Sequence, residues 1–152
     1  MESISIDDKD AIHRASKIIK SGGLIVYPTD TLYGLGVDSN NESAINKINQ
    51  IKNRKTPISV IGWSIDVITN WTNISSHDLL MANKILTESN TVILPVKDNI
   101  VHASILGANQ TLGIRMPKYR FPIELCNNLG FPITTTSVNK TGDSPLNDPE
   151  LI

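Results

Sequence analysis

Cysteine is almost missing from this chain. Cys126 is the one thiol in 152 residues, so neither a disulfide framework nor a cysteine-based zinc site can be built from it. An excess of either charge is missing too. Fourteen Lys and Arg face fifteen Asp and Glu, a formal net charge of -1, which argues against a protein devoted to coating nucleic acid and leaves room only for a local basic patch. No apolar run approaches the roughly 18 residues a membrane helix needs. The opening MESISIDDKD has an acidic head and no apolar core, so neither a secretory signal nor a transit peptide is expected there. His13, His77 and His102 share no metal-ligand spacing, and no Ser-His-Asp or Cys-His constellation can be assembled. What remains is a soluble protein, expected in the cytoplasm. Its length fits one domain, 1–152, burying roughly two thirds of the surface its unfolded chain exposes.

The apolar pattern that is present alternates between two periods. Over 7–20, Ile12, Ala15 and Ile19 fall at helical spacing, with Asp7 or Asp8 placed to cap the start and Gly22-Gly23 to end it. A continuous apolar run at 24–27, stopped by Pro28, reads as a buried strand. Ala44, Ile45, Ile48 and Ile51 mark a second helix over 42–53, and 58–61 reads as a strand. Over 76–86 a helix is expected, with Ser76 as its cap and Leu79, Leu80, Ala82 and Ile85 as its apolar face. Strands are expected at 91–96, 111–116 and 132–136, and a short helix over 122–129 closed by Gly130, with Cys126 as a small core residue on its apolar face. Helices and strands alternate, which makes the class α/β with a largely wrapped sheet.

Three loops, two of them after expected strands, carry more polar chemistry than a connector needs. In α/β sheets ligands gather beyond the carboxyl ends of strands. The first is 27–36, Y-P-T-D-T-L-Y-G-L-G: Gly34 and Gly36 permit close backbone approach, and the hydroxyls of Thr29 and Thr31 can hold a polar ligand. A plain turn, with Asp30 bonding locally, explains it as well. The second is Lys52-Asn53-Arg54-Lys55, at a helix C-terminus. Solvated cations complementing the macrodipole are the simpler account, and a phosphate clamp with Arg54 as a planar fork is the other. The third is 134–142, T-T-T-S-V-N-K-T-G, four consecutive hydroxyls and then Asn, Lys and Gly. Threonine is also at home on an exposed edge strand, but a hydroxyl row fits ligand contact better.

Taken together, these loops resemble the signatures of the YrdC-like threonylcarbamoyl-AMP synthase family. Pro28 through Gly36 match its P-T-[DE]-T-x-Y-G-L-G segment. Lys52 and Arg54 match K-x-R, and Ser137, Asn139, Thr141 and Gly142 match S-x-N-x-[ST]-G. Gly113-Ile114-Arg115-Met116-Pro117 resembles the family's v-R-x-P strand. Order and spacing agree from about residue 7 to residue 145. The resemblance implies one YrdC-like α/β domain, a twisted, open, mostly mixed sheet flanked by helices around a central basic cavity. It also implies condensation of L-threonine, bicarbonate and ATP into threonylcarbamoyl-adenylate and pyrophosphate, for modification of the adenosine beside the anticodon of tRNA. By the same resemblance Lys52 and Arg54, as catalytic residues at the surface of a cleft, hold the ATP phosphates, with Thr111, Ser137 and Asn139 completing the ATP site. Thr31, Arg115, Thr135 and Ser137 bind threonine, Arg115 pairing with its carboxylate. Mg2+ is expected with ATP rather than in a protein cage. RNA and the downstream tRNA threonylcarbamoyl transferase complex are the expected macromolecular partners, and no membrane is.

The sequence departs from the family in four places, one of them the loop after Arg54, which is shorter than usual. The usual W-P-G-P-[LV]-T turn reads Leu86-Thr87-Glu88-Ser89-Asn90-Thr91 and keeps only the last threonine, with Glu88 expected to put negative charge near an anion site. A histidine that some members use near threonine is replaced around Ile61. The C-terminal part of the usual domain is expected to be absent beyond Ile152. A catalytically weak relative that binds nucleotide or RNA without turnover is the alternative these departures keep open.

Overall fold

The computed structural model describes residues 2–53, 55 and 57–152. In chain order the elements are α1 (Ala11–Lys20), β1 (Ile25–Tyr27), β2 (Gly34–Gly36), α2 (Glu42–Lys52), β3 (Ser59–Ile61), α3 (Ile65–Trp71), α4 (Ser76–Leu86), β4 (Thr91–Pro95), β5 (Thr111–Arg115), α5 (Arg120–Leu129) and β6 (Thr134–Ser137). The strands form one sheet in the order β1-β2-β6-β3-β5-β4. Only β3 and β5 pair in parallel; the other neighbours are antiparallel. The mixed α/β architecture expected from the alternating periods is therefore present, with two elements added: the short strand β2, inside what reads as a loop, and helix α3.

Caps fix the helix starts. The side chains of Asn41, Ser64 and Ser75 accept from the amides of Ala44, Val67 and Asp78 at the heads of α2, α3 and α4. The cap of α4 is thus Ser75 rather than Ser76. At α1 neither Asp7 nor Asp8 is the cap. Asp8 accepts from the Asp10 amide at 2.8 Å in a turn that precedes the helix, and Asp10 stands at the cap without a side-chain bond. The apolar stripes also shift from expectation. In α4, Ala82 and Leu86 are buried, while Leu80 and Ile85 are exposed. In α2 the buried positions are 44, 45, 48 and 52. The next place on that helical face after Ile48 is Lys52, so the lysine goes inside and Ile51 faces out.

The pleat sorts the strand residues onto two faces. On one face Leu35, Val60, Leu94, Leu112 and Ile114 enter a core with Ala44, Ile45 and Ile48 of α2 and with Ile68, Trp71, Ala82 and Leu86 of α3 and α4. The other face is divided. Tyr27, Ile61 and Ile133 are sealed beneath Ala15 and Ile19 of α1 and Leu125, Cys126 and Leu129 of α5. Cys126 is a core residue as expected, its thiol pushed up to about 12 by burial. Further along that same face Ser59, Gly113, Thr135 and Ser137 carry no helix. Gly113 keeps this stretch flat, because a Cβ there would lie 2.4 Å from the Ser59 hydroxyl. Among the described residues, no helix is long and apolar enough to cross a membrane.

Candidate active site

β6 is an interior strand of the sheet, between β2 and β3. That overturns the exposed-edge account of its hydroxyl row. The four hydroxyls divide by burial, not simply by the pleat, since Thr134 and Thr136 share a face. Thr134 is wholly buried, accepting from the Val37 amide at 3.1 Å and donating to the Leu35 carbonyl at 3.3 Å, a structural tie to the segment beside it. Thr135, Thr136 and Ser137 are half-buried and line a hollow.

That hollow has a volume of about 220 Å³ and is bounded by Thr29, Thr31 and Tyr33 from the loop between β1 and β2 and by Gly34 at the start of β2. Ser59 and Thr91 complete it with the β6 hydroxyls and Arg115 at the end of β5. The loop shapes itself. The Thr29 hydroxyl donates to the Leu32 carbonyl at 2.6 Å and accepts from the amides of Thr31 and Leu32, so the turn chemistry belongs to Thr29 and not to Asp30. Asp30 reaches across the molecule instead. Its Oδ1 accepts from Arg115 Nη2 at 3.1 Å and its Oδ2 from the Lys118 amide at 3.1 Å. Thr31 Oγ1 accepts from the same Arg115 nitrogen at 2.8 Å. Burial by itself would raise the Asp30 carboxyl. Hydrogen bonds from the Ser89 side chain and the Lys118 amide, together with the Arg115 guanidinium, more than offset that and hold it below the usual carboxylate range.

Lys52 is not at the surface of a cleft. It is 3% exposed, and its ammonium donates to the Ser137 carbonyl at 2.8 Å and to Asn139 Oδ1 at 2.7 Å. The Ser137 hydroxyl donates to the same Asn139 oxygen at 2.6 Å. The amide and hydroxyl of Thr141 both donate to the Lys52 carbonyl. The K-x-R and S-x-N-x-[ST]-G segments are thus one hydrogen-bonded unit, and a lysine at a helix C-terminus is buried here because it has these oxygens to meet. Arg54, the other cation of that pair, lies outside the described residues.

The remaining expected residues fall differently. Thr31, Arg115, Thr135 and Ser137 all line the one hollow. Thr111 sits at the far end of β5, its hydroxyl donating to the Ala108 carbonyl at 2.8 Å, and the hollow does not reach it. Ser59 was not foreseen. Its only sequence signal is a hydroxyl in period two with Ile61; its place beside Gly113 comes from the pairing of β3 with β5. The altered turn at 86–90 approaches the site through Ser89, which adopts a left-handed φ of 62° and helps hold the Asp30 carboxyl below its usual range. Glu88 is exposed and does not line the hollow.

A hydroxyl-lined hollow on the uncovered part of a mixed sheet, with one arginine braced by a carboxylate, defines an α/β protein equipped for a small, polar, anionic ligand. A family model described as "Telomere recombination", that of Sua5/YciO/YrdC, matches residues 17–152. The chain belongs to the Sua5/YciO/YrdC family. It is 32% identical over 141 residues to the threonylcarbamoyl-AMP synthase of Hydrogenovibrio crunogenus, covering 89% of this chain and 75% of that protein. To the synthase of Xanthomonas axonopodis pv. citri it is 29% identical, covering 93% and 80%. Among solved structures, P. abyssi Sua5 complexed with L-threonine superposes with a TM-score of 0.80 at 26% identity, over 95% of this chain. The chain spans 42% of the length of that larger protein.

Proposed function

We propose that this protein is an L-threonylcarbamoyladenylate synthase, a nucleotidyltransferase that joins L-threonine, bicarbonate and ATP and releases pyrophosphate. The observation that carries the reading is the meeting of Arg115 and Thr31 with Thr135 and Ser137 around one hollow, in a chain whose curated relatives bear that name.

The chemistry asks little of a nucleophilic side chain. The threonine amine takes up the carbon of bicarbonate and water leaves, giving a carbamate. A carbamate oxygen then attacks the α-phosphorus of ATP, and pyrophosphate departs with the electrons of the broken P–O bond. Positioning and charge neutralisation do most of such work. Arg115 receives the threonine carboxylate, with the Thr31 and Thr135 hydroxyls beside it. Ser137 stands between the two substrates. Lys52 acts at one remove, holding the Ser137 and Asn139 segment against which the nucleotide lies, and Arg54 is assigned the phosphates. Thr111, at the far end of the same strand, is kept as a nucleotide contact only if the nucleotide runs along β5. ATP enters as its magnesium complex, the ion travelling with the substrate. The product is handed to the tRNA threonylcarbamoyl transferase complex, and the reaction is placed in the cytoplasm, where ATP and tRNA are.

The test is direct. Purified protein with ATP, L-threonine, bicarbonate and magnesium should form threonylcarbamoyl-adenylate, read by mass spectrometry within minutes. Arg115→Ala should lower that rate at least 100-fold, mostly through the KM for threonine. Retained nucleotide or RNA binding with no product would favour the alternative, a YrdC-like binding protein without turnover.

A further inference from the structure

We infer that Asp30 is a positioning and specificity-determining residue: it fixes the Arg115 fork and reserves that end of the hollow for a carboxylate rather than a phosphate. The inference rests on the proposed threonine site.

Asp30 stands among three segments: its own loop, the turn before β4, whose Ser89 side chain favours its ionised form, and the turn after β5, whose Lys118 amide it accepts from. The first two of these segments do not need it for their shape. Thr29 closes the first loop by itself. The turn after α4 is held by backbone bonds from Thr87, Glu88 and Ser89 to Asn83, Ile85 and Leu86. The residue that does need Asp30 is Arg115. Its Nε is buried with no hydrogen-bond partner among the described residues, and Nη2 is shared between Asp30 and Thr31. Without the carboxylate, one neutral hydroxyl would be left to orient a long side chain at the edge of an open hollow. With it, Nη2 is fixed, and Nη1, which makes no hydrogen bond among the described residues, is the group left to meet a ligand.

The charge follows from the same contact. The pair is only 19% and 13% exposed at its two side chains, so Arg115 arrives in the hollow already half neutralised. A monocarboxylate with one negative charge is accepted beside such a pair. A phosphate dianion meets the Asp30 carboxylate 3.1 Å behind the guanidinium and is repelled. The Asp30–Arg115 pair thereby keeps the triphosphate of a nucleotide from occupying the amino-acid end.

Three measurements on the full chain test this. The Nε–H signal of Arg115, assigned by its loss in Arg115→Lys, should be rigid in the parent and mobile in Asp30→Asn. L-Threonine affinity by calorimetry should fall about tenfold in Asp30→Asn, the loss of one charged hydrogen bond, and should recover in part in Asp30→Glu. Inorganic phosphate, used as the probe, should compete for the hollow in Asp30→Asn and not in the parent. An unchanged Arg115 signal, or unchanged threonine affinity in Asp30→Asn, overturns the inference. If the parent binds no threonine while the Arg115 signal and phosphate competition change as described, the positioning role stands and the threonine reading fails. If Asp30→Asn does not fold, Ser89→Ala removes one anchor of the carboxylate from an exposed turn. It should mobilise the Arg115 signal in the same sense, and no change would again overturn the proposal.

Discussion

Ser59 and Ile61 lie two residues apart on one short strand and project from the same face of the sheet, yet one is sealed and the other borders a ligand hollow. Ile61 is wholly buried beneath α1 and α5. Ser59 makes no side-chain hydrogen bond among the described residues and shares the hollow with Thr135 and Arg115. The comparison extends across the face. Where a helix covers the sheet, the strands offer Tyr27, Ile61 and Ile133. Where none does, they offer mostly serine, threonine and glycine with Arg115, and Ile93 beside Gly113 is the exposed apolar exception. A bare apolar sheet face would be unstable in water, so the residues that make the uncovered part tolerable are the same ones that can hold a polar ligand. The candidate site occupies the area that the covering helices leave open.

The largest expected break is on the covered side. Ile61→Ala should cost about 3 kcal/mol, a fall in Tm of about 10 °C in a chain of this size, read by calorimetry without ligand. A smaller loss would mean that α1 and α5 pack more loosely than this core implies. Lys52→Ala comes next. It removes one of two donors to the Ser137 carbonyl and one of two to Asn139 Oδ1, so a loss of about 2 kcal/mol is expected, together with weaker nucleotide binding. Loss of nucleotide affinity with full stability would instead restore the view of a surface phosphate clamp.

The pH dependence sharpens the open side. Asp30 titrates below its unfolded value in the native protein, so its contribution is complete above the unfolded carboxylate range and disappears as pH falls through the native value. Asp30→Asn should therefore be less stable than the parent at neutral pH and converge with it in strong acid. A gap that persists at low pH would assign the stability to packing rather than charge. Ser59→Ala is the smallest perturbation. Its stability should change by no more than about 0.5 kcal/mol, while threonylcarbamoyl-adenylate formation falls severalfold. A large change in melting would mean that the hydroxyl is structural after all.

Much of the scaffold was legible from periodicity. Helix α4 was placed at its observed ends, and the strands at 58–61, 91–96 and 111–116 differ from β3, β4 and β5 by a residue. The misses have physical causes. β2 has the sequence Gly-Leu-Gly, which carries no β propensity and is a strand because β1 and β6 pair with it on both sides. Ile51, Leu80 and Ile85 were placed inside because an apolar residue near the stripe looks buried until the neighbouring element is known. The motif loops were found by their residue types. That Asp30 bonds 85 residues away rather than within its own turn has no local trace.

The sequence by itself determined the α/β class, the order of most elements and the four motif segments, because periodicity and hydroxyl-rich loops are local properties. Only the tertiary structure decided which hydroxyls are ties and which line the hollow. It buried Lys52 as a brace, and it set Asp30 against Arg115. Those outcomes depend on strand order and on how far two helices reach across a sheet. They arise from contacts between distant segments, which no window along the chain contains.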